Sequence, residues 1–314
     1  MTVAVQTPPR PPVAEAPPRT TPAVTQAPVP RVPPARHLAR GALLTVAALL
    51  LGLTVQLLLI SPLQYRAAQQ AAFDTLRGTL AEGTAPVAQT DTEGHLLTPG
   101  TPVALLDIPK LRLRRAAVLE GTDSRVLSDG PGHRRDTPMP GQAGTSVIFG
   151  RAAAYGGPFG DLRTLAPGDT LAVTTGQGKA TYRVLDVRVA GDPAPPTLAQ
   201  GKGRLVLVTA TGASYLPSGI LRVDAEQVSA VAVTPAATIV PGSIPGSEQP
   251  LASGDGVPWE LVMWLQALMV VAIAAVWAWH RWGRHQTWIV CAPVVAVLGL
   301  QVAGQVTHLL PNLL

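Results

Sequence analysis

The stretch TLAVTTGQGKATYRVLDVRV, Thr170 to Val189, decides the fold. From Thr170 to Thr174, and again from Thr181 to Val189, apolar and polar residues alternate, which gives an extended chain one apolar face and one wet face. Between the two runs, GQGK supplies the glycines that a tight hairpin turn needs. Short apolar runs punctuated by turn residues recur to either side: VALLDIP, AAVLEG and TSVIFG before the hairpin, RLVLVTA and ILRVDAEQVSAVAV after it. This pattern predicts a mainly β domain over residues 101–234, closed or sandwich-like, with no fixed repeat of the kind a propeller or solenoid requires.

Outside that domain the composition changes. Charged residues make up only 14% of the 314, against roughly a quarter in a soluble globular protein, so part of the chain is built to face lipid. GALLTVAALLLGLTVQLLLI, Gly41 to Ile60, carries no charge and has about the 20 apolar residues that cross a ~30 Å hydrocarbon core. It reads as a signal-anchor helix over 41–61, because a secretory signal has a shorter apolar core and follows a shorter leader. A second span, 259–279, has Trp259, Trp264, Trp277 and Trp279 near its ends as interfacial anchors. The third, 288–308, contains Pro293, Gln301 and Gln305, which suit helix–helix contact.

Arginines orient these helices, because cytoplasmic flanks of membrane spans are enriched in basic residues. Residues 1–40 hold five Arg against Glu15 alone, and the turn 280–287 adds Arg281 and Arg284. The formal charge of +5 is therefore concentrated on two flanks assigned to the cytoplasm, and the β domain between them is outside and close to neutral. Residues 1–36 contain 11 of the 32 prolines and no hydrophobic period, the signature of a disordered tail; docking to a proline-recognising module is the functional alternative. Residues 62–100 read as an amphipathic helix, Leu63 to Leu80, followed by a connector; 235–258 read as a Pro/Gly/Ser linker, and 309–314 as an extracellular end.

The single cysteine, Cys291, excludes an internal disulfide and a Cys-rich zinc module. No phosphate-binding glycine loop opens a helix, no carboxylate pair has catalytic spacing, and the basic run around Arg112 to Arg125 alternates with leucine as a strand with one wet face does. Neither a cofactor nor a nucleic-acid partner is expected.

Four ordered blocks resemble the sortases, extracytoplasmic cysteine transpeptidases of Gram-positive bacteria, and in particular their actinobacterial class E. LDIPKLRLRRAAVLEGTD (Leu106 to Asp123) is similar to the family's opening strand pair. SDGPGHRRDTPMPGQAGTSVIFG (Ser128 to Gly150) resembles its GPGH…T..PG..GN..I.G block, YGGPFGDLRTLAPGDTLAV (Tyr155 to Val173) the segment after the catalytic His, and LVLVTATG (Leu205 to Gly212) the strand ending in the catalytic Cys. The resemblance implies an eight-stranded β-barrel, to which the apolar runs add three membrane helices, and a reaction in which a thiolate attacks a sorting signal such as LPXTG while an imidazole and a guanidinium assist.

At the family's three catalytic positions this sequence departs from the pattern. Arg151 stands in the place of the His, Ala210 in the place of the Cys, and the Arg position aligns near Gly219 and Ile220, with Arg222 two residues further along the same strand face. A methyl group cannot attack a carbonyl, and the only thiol is Cys291, inside the third span. The expected function is that of an inactive sortase-like protein in the bacterial plasma membrane, multi-pass, with its N-terminus cytoplasmic. Its partners would be the lipid bilayer and a sorting-signal-like peptide, an active sortase or another envelope protein. Arg151, Thr209, Thr211, Arg222 and His133 are the candidate groove residues, with Arg151 free to meet a carboxylate or phosphate. The rivals are a transpeptidase or peptidase using Thr209, Thr211 or Ser214 as nucleophile, and a purely structural subunit of a membrane complex.

Overall fold

The computed structural model describes Leu43 and residues 50–314, apart from Ser214 and residues 254–258. The Pro-rich segment 1–40 and most of the first span lie outside the described residues, as does Ser214. All the described residues but Leu43 belong to one unit, Thr45–Leu314.

Eight strands close into a barrel: β1 Pro102–Ile108, β2 Leu113–Glu120, β3 Gly132–His133, β4 Gly144–Phe149, β5 Thr170–Thr175, β6 Gly178–Arg188, β7 Gly203–Ala213 and β8 Leu216–Gln227. Their order around the wall is β1-β2-β3-β4-β7-β8-β6-β5. The opening hairpin is β5–β6, in register from Thr170 with Arg183 to Thr175 with Gly178. Its alternation slips at Leu185, and there the pairing of β6 with β8 shifts register between Val184 and Asp186, so a bulge keeps Tyr182 and Val184 in the core. Strands β4 and β7 run parallel, Gly144 with Gly203 through Phe149 with Val208.

Alternation along β7 divides its side chains between two clusters. Leu205 and Leu207 fill the barrel interior with Ile108, Ile148, Phe159 and Val223. Val206, Val208 and Ala210 point the other way, into an outer cluster with Leu127, Phe149 and Leu313. A third cluster lies under the long helix α1, Ser61–Glu82, where Leu76 and Ala72 cover Leu105, Ala117 and Leu119. The side chain of Gln69 locks α1 down, donating to the carbonyls of Ala117 (3.0 Å) and Asp129 (2.9 Å) and accepting from the amide of Ala117 (2.8 Å).

The expected amphipathic helix is continuous with the first span: a wider π turn, Gln56–Ile60, leads into α1 without a break. A one-turn helix, α2 (Val126–Asp129), precedes β3, and two apolar helices follow the barrel, α3 (Trp259–Trp282) and α4 (Arg284–His308). Within them Trp259–Trp279 and His285–His308 are long and apolar enough to cross a membrane, by length and composition.

Three expected boundaries change. The turn 280–287 shrinks to one residue: Gly283, at φ 93, takes the left-handed backbone that stops α3, and α4 starts at the next residue. Of the 235–258 segment, expected to be a linker, the described part, 235–253, is strapped to the barrel. Gln89 Oε1 accepts from the amides of Thr238 (2.7 Å) and Ile239 (2.8 Å), Asp136 Oδ2 from Gly242 (2.7 Å), and the Glu248 carbonyl from the Thr122 hydroxyl (2.7 Å). Residues 309–314, expected only to form an extracellular end, fold back onto the barrel wall, where Asn312 and Leu313 are both fully buried.

Candidate functional site

The site grows from the end of β4. Gly150 passes so close under the Phe159 ring that a Cβ on it would stand 2.4 Å from the ring's Cδ2, so only glycine fits. Its amide donates to the Val208 carbonyl (3.0 Å) and its carbonyl accepts the Thr209 hydroxyl (2.8 Å), which ties the start of the next loop to β7. This places Arg151 beside the outer cluster of β7.

Arg151 is fully buried. Its Nε donates to the Leu127 carbonyl (3.1 Å), Nη1 to the main-chain oxygen of Leu314 (3.0 Å), and Nη2 to both the Ser124 carbonyl (2.7 Å) and hydroxyl (2.9 Å). The guanidinium carbon lies 5.0 Å from the centre of the Tyr155 ring, which adds a cation–π contact. Burial pulls the Arg151 pKa down to about 10, with Tyr155, Asp123 and Asp129 opposing the shift; the group stays a cation at neutral pH. It cannot act as a base, and its donors are spent on this chain's own oxygens, so the expectation that Arg151 awaits an external carboxylate or phosphate is corrected.

Tyr155 in turn fastens the loop to the helices. At φ 51 it holds a left-handed backbone, its amide donates to the Ser61 hydroxyl (3.3 Å), and its hydroxyl is 2.6 Å from the Thr307 hydroxyl. The His308 ring stacks on it with centroids 6.1 Å apart. The loop after Arg151 is therefore bonded both to the start of α1 and to the end of α4.

Ala210 is buried on β7, paired with Ile220, while Thr209 pairs with Leu221 and Thr211 with Gly219. Beside Ala210 opens a cavity of about 290 Å³, lined among others by Arg163, Thr209, Thr211, Tyr215 and Leu314. Thr211 accepts from the Arg163 guanidinium, and Thr209 is sealed and bonded to Gly150, so neither hydroxyl is hydrogen-bonded to a histidine among the described residues. Arg163 was not a sequence candidate; it sits in the segment after the family's His position, and its meeting with Thr211, 48 residues on, has no sequence signal.

The structure does not bring all the sequence candidates together. Arg222, opposite Val208, shares the face of Ile220 and Ala210 but does not line the cavity. His133 is not among the residues that line the cavity; it is fully buried in the wall, its Nδ1 2.8 Å from Glu120 Oε2 and its Nε2 3.1 Å from the Pro138 carbonyl. Burial alone would lower its pKa, but the Glu120 carboxylate outweighs that and holds it above the ordinary histidine value. His133 is a structural cross-link rather than a groove residue. Cys291 lies on α4 in an apolar groove between α3 and α4 with Val276, Trp279 and Trp288.

Residues 106–222 match the sortase domain family model. Among curated proteins, sortase D of Bacillus subtilis (strain 168) is 29% identical over 119 residues, 37% of this chain; the match spans 58% of the length of that protein. Solved structures similar to the chain include a Clostridium perfringens sortase D5 transpeptidase, 20% identical with a TM-score of 0.43, covering 52% of this chain and 99% of that one. Sortase E1 from Streptomyces coelicolor with a tripeptide in its active site is 27% identical with a TM-score of 0.37, over 41% and 88%.

Proposed function

The chain belongs to the sortase family through this barrel, and we propose that it does without the family's thiol chemistry and acts as a membrane-held envelope component that binds a peptide or protein. The observation that carries this reading is the pair of residues at the reaction centre. Ala210 offers a methyl where the resemblance calls for a thiol, and Arg151 offers a buried, fully engaged guanidinium where it calls for an imidazole. Covalent acyl transfer needs a nucleophile next to a base, and the hydroxyls nearest Ala210 are committed to Gly150 and Arg163 instead.

The barrel stands outside the cell in this reading, with the N-terminus cytoplasmic. The exposed apolar surface of α3 and α4, including Trp277, Ile273 and Ile289, is what a lipid-facing helix pair presents, and the arginine-bearing flanks supply the direction. The groove beside Ala210 offers a peptide partner both polar groups, Arg163 and Thr211, and apolar ones, Ala210 and Leu221, without the step that would cut it.

Intact mass of the full-length protein in detergent, after incubation with LPXTG-type peptides and an amine acceptor, tests the reading. No added mass is expected. An acyl adduct mapping to Thr209, Thr211 or Ser214 would establish a hydroxyl nucleophile and sink it.

A further inference from the structure

One wall of the groove beside Ala210 is supplied by the end of the chain itself. After α4 ends at His308, Leu309 to Leu314 turns back onto the barrel, and the amide of Ala152 donates to the Leu313 carbonyl (2.9 Å), adding a backbone bond just beyond β4. Leu313 is fully buried in the outer cluster with Leu127, Phe149, Val206, Val208 and Ala210. Leu314 forms part of the lining of the cavity that Ala210 also lines, and its main-chain oxygen accepts a hydrogen bond from Arg151 Nη1.

Asn312 gives the segment its register. Its amide donates to the Ala252 carbonyl (2.9 Å), and its side-chain Nδ2 points at the carbonyls of Thr122 (2.8 Å) and Gln249 (2.9 Å). Converging carbonyls accept protons only, so an amide NH2 fits there and a carboxylate does not. The segment is a tight turn, with the Leu314 amide donating to the Pro311 carbonyl (3.1 Å), and it presents one side chain held by hydrogen bonds, the next seated in an apolar cluster, and a main-chain oxygen held by a cation.

We propose that this groove is a peptide site selective for an Asn-Leu pair and that residues 311–314 occupy it in cis as a tethered ligand, covering the Ala210 position. The inference rests on the reading of the barrel as a binding module, but not on the absence of catalysis. It assigns Arg151 a purpose: in place of proton transfer, its guanidinium holds the occupant's backbone. An outside peptide can enter only by replacing the tail.

A thiol at the floor of the groove reports its occupancy. The full-length protein carrying Cys291→Ser and Ala210→Cys is reacted with a small maleimide in detergent, alone and with Asn312→Asp or Leu313→Ala added. The cysteine at position 210 should label slowly with the native tail and about 10- to 100-fold faster when the tail is displaced, the ratio that corresponds to burying one leucine side chain. Hydrogen exchange of the β5–β6 hairpin, on the other side of the barrel, should be the same in all variants and separates displacement of the tail from unfolding.

An amidated Leu-Leu-Pro-Asn-Leu-Leu peptide added to the Asn312→Asp variant should restore slow labelling, and the same peptide with Asp for Asn should not. Equal labelling with and without the tail substitutions would overturn the tethered-ligand inference while leaving the proposed lack of chemistry to the mass experiment. Protection by the tail with no protection by added peptide would overturn the peptide site, and with it the binding role, but not the missing nucleophile.

Discussion

Replacing Arg151 by alanine tests whether the residue at the family's base position has become structural. The substitution strips partners from the carbonyls of Leu127 and Ser124, from the main-chain oxygen of Leu314 and from the Ser124 hydroxyl, all at a side chain with no solvent exposure. A buried main-chain oxygen left unsatisfied costs about 1–3 kcal/mol, so three of them set a gross loss of about 3–9 kcal/mol. Against this stands the relief of no longer burying a cation. The fall of the Arg151 pKa from 12.5 to about 10 puts that relief at about 3 kcal/mol, since each unit is worth ~1.4 kcal/mol. It is a cost the folded state carries at every pH below about 10, because the folded protein holds this proton less tightly than the unfolded chain does. The difference is about 0–6 kcal/mol, and the ~3–5 kcal/mol typical of removing one partner from a buried charged cluster places it in the upper part of that range. For a barrel of this size the melting temperature should fall by roughly 8–20 °C.

The assay is thermal unfolding of the full-length protein in detergent, followed by near-ultraviolet circular dichroism of the barrel. Arg151→Lys is the informative comparison: it keeps the charge but not the planar fork, and one ammonium cannot span carbonyls that lie on both α2 and the tail. It should recover less than half of the loss. A melting temperature for Arg151→Ala within about 2 °C of the parent would refute the reasoning, because it would mean that the buried carbonyls find other partners at no cost.

Two further outcomes follow from contacts away from the groove. The raised pKa of His133 means that its ion pair with Glu120 contributes fully below about pH 6.5 and is lost as pH climbs through the raised value, so barrel stability should decline across that interval. His133→Gln should flatten this dependence, and an unchanged slope in a melting-temperature scan would show that another group carries it. Tyr155→Phe keeps the ring over Arg151 but removes the hydrogen bond to Thr307, costing about 1 kcal/mol. Hydrogen exchange of residues 152–157 should then quicken relative to β1 and β2, and unaltered exchange would mean the barrel does not depend on that tether.

Seven strands were legible: β5 and β6 through their alternation and the turn between them, the other five as short apolar runs bounded by turn residues. Strand β3 was not, since Gly132 and His133 alone have no period and exist as a strand only because the outward bonds of β2 and β4 meet there. Of the site, Ala210 and Arg151 could be placed by motif and spacing, which fix a backbone position but not its surroundings. The acceptors of Arg151 come from residues 124, 127 and 314, and those of Asn312 from residues 122, 249 and 252; side-chain bonds to distant carbonyls leave no trace in composition or hydropathy. The same blindness made 235–258 read as a free linker, since its anchors are single side chains, Gln89 and Asp136, on remote loops. His133 was read as a groove candidate because a turn motif does not reveal that Glu120, on the neighbouring strand, closes over it.

The place of Leu313 in the outer cluster has a consequence for how the protein is made. The barrel's strands are complete by residue 227, yet the cluster on the outer face of β7 gains its last member only when the chain beyond α4 has been synthesised. During that interval the nascent protein carries an open apolar cleft, the kind of surface that chaperones hold and that sticks to other chains. Closing it is a contact of very long sequence separation, hence slow relative to the hairpins. A molecule whose helical hairpin fails to form keeps this face of β7 uncovered, because Leu313 reaches it only from the end of α4.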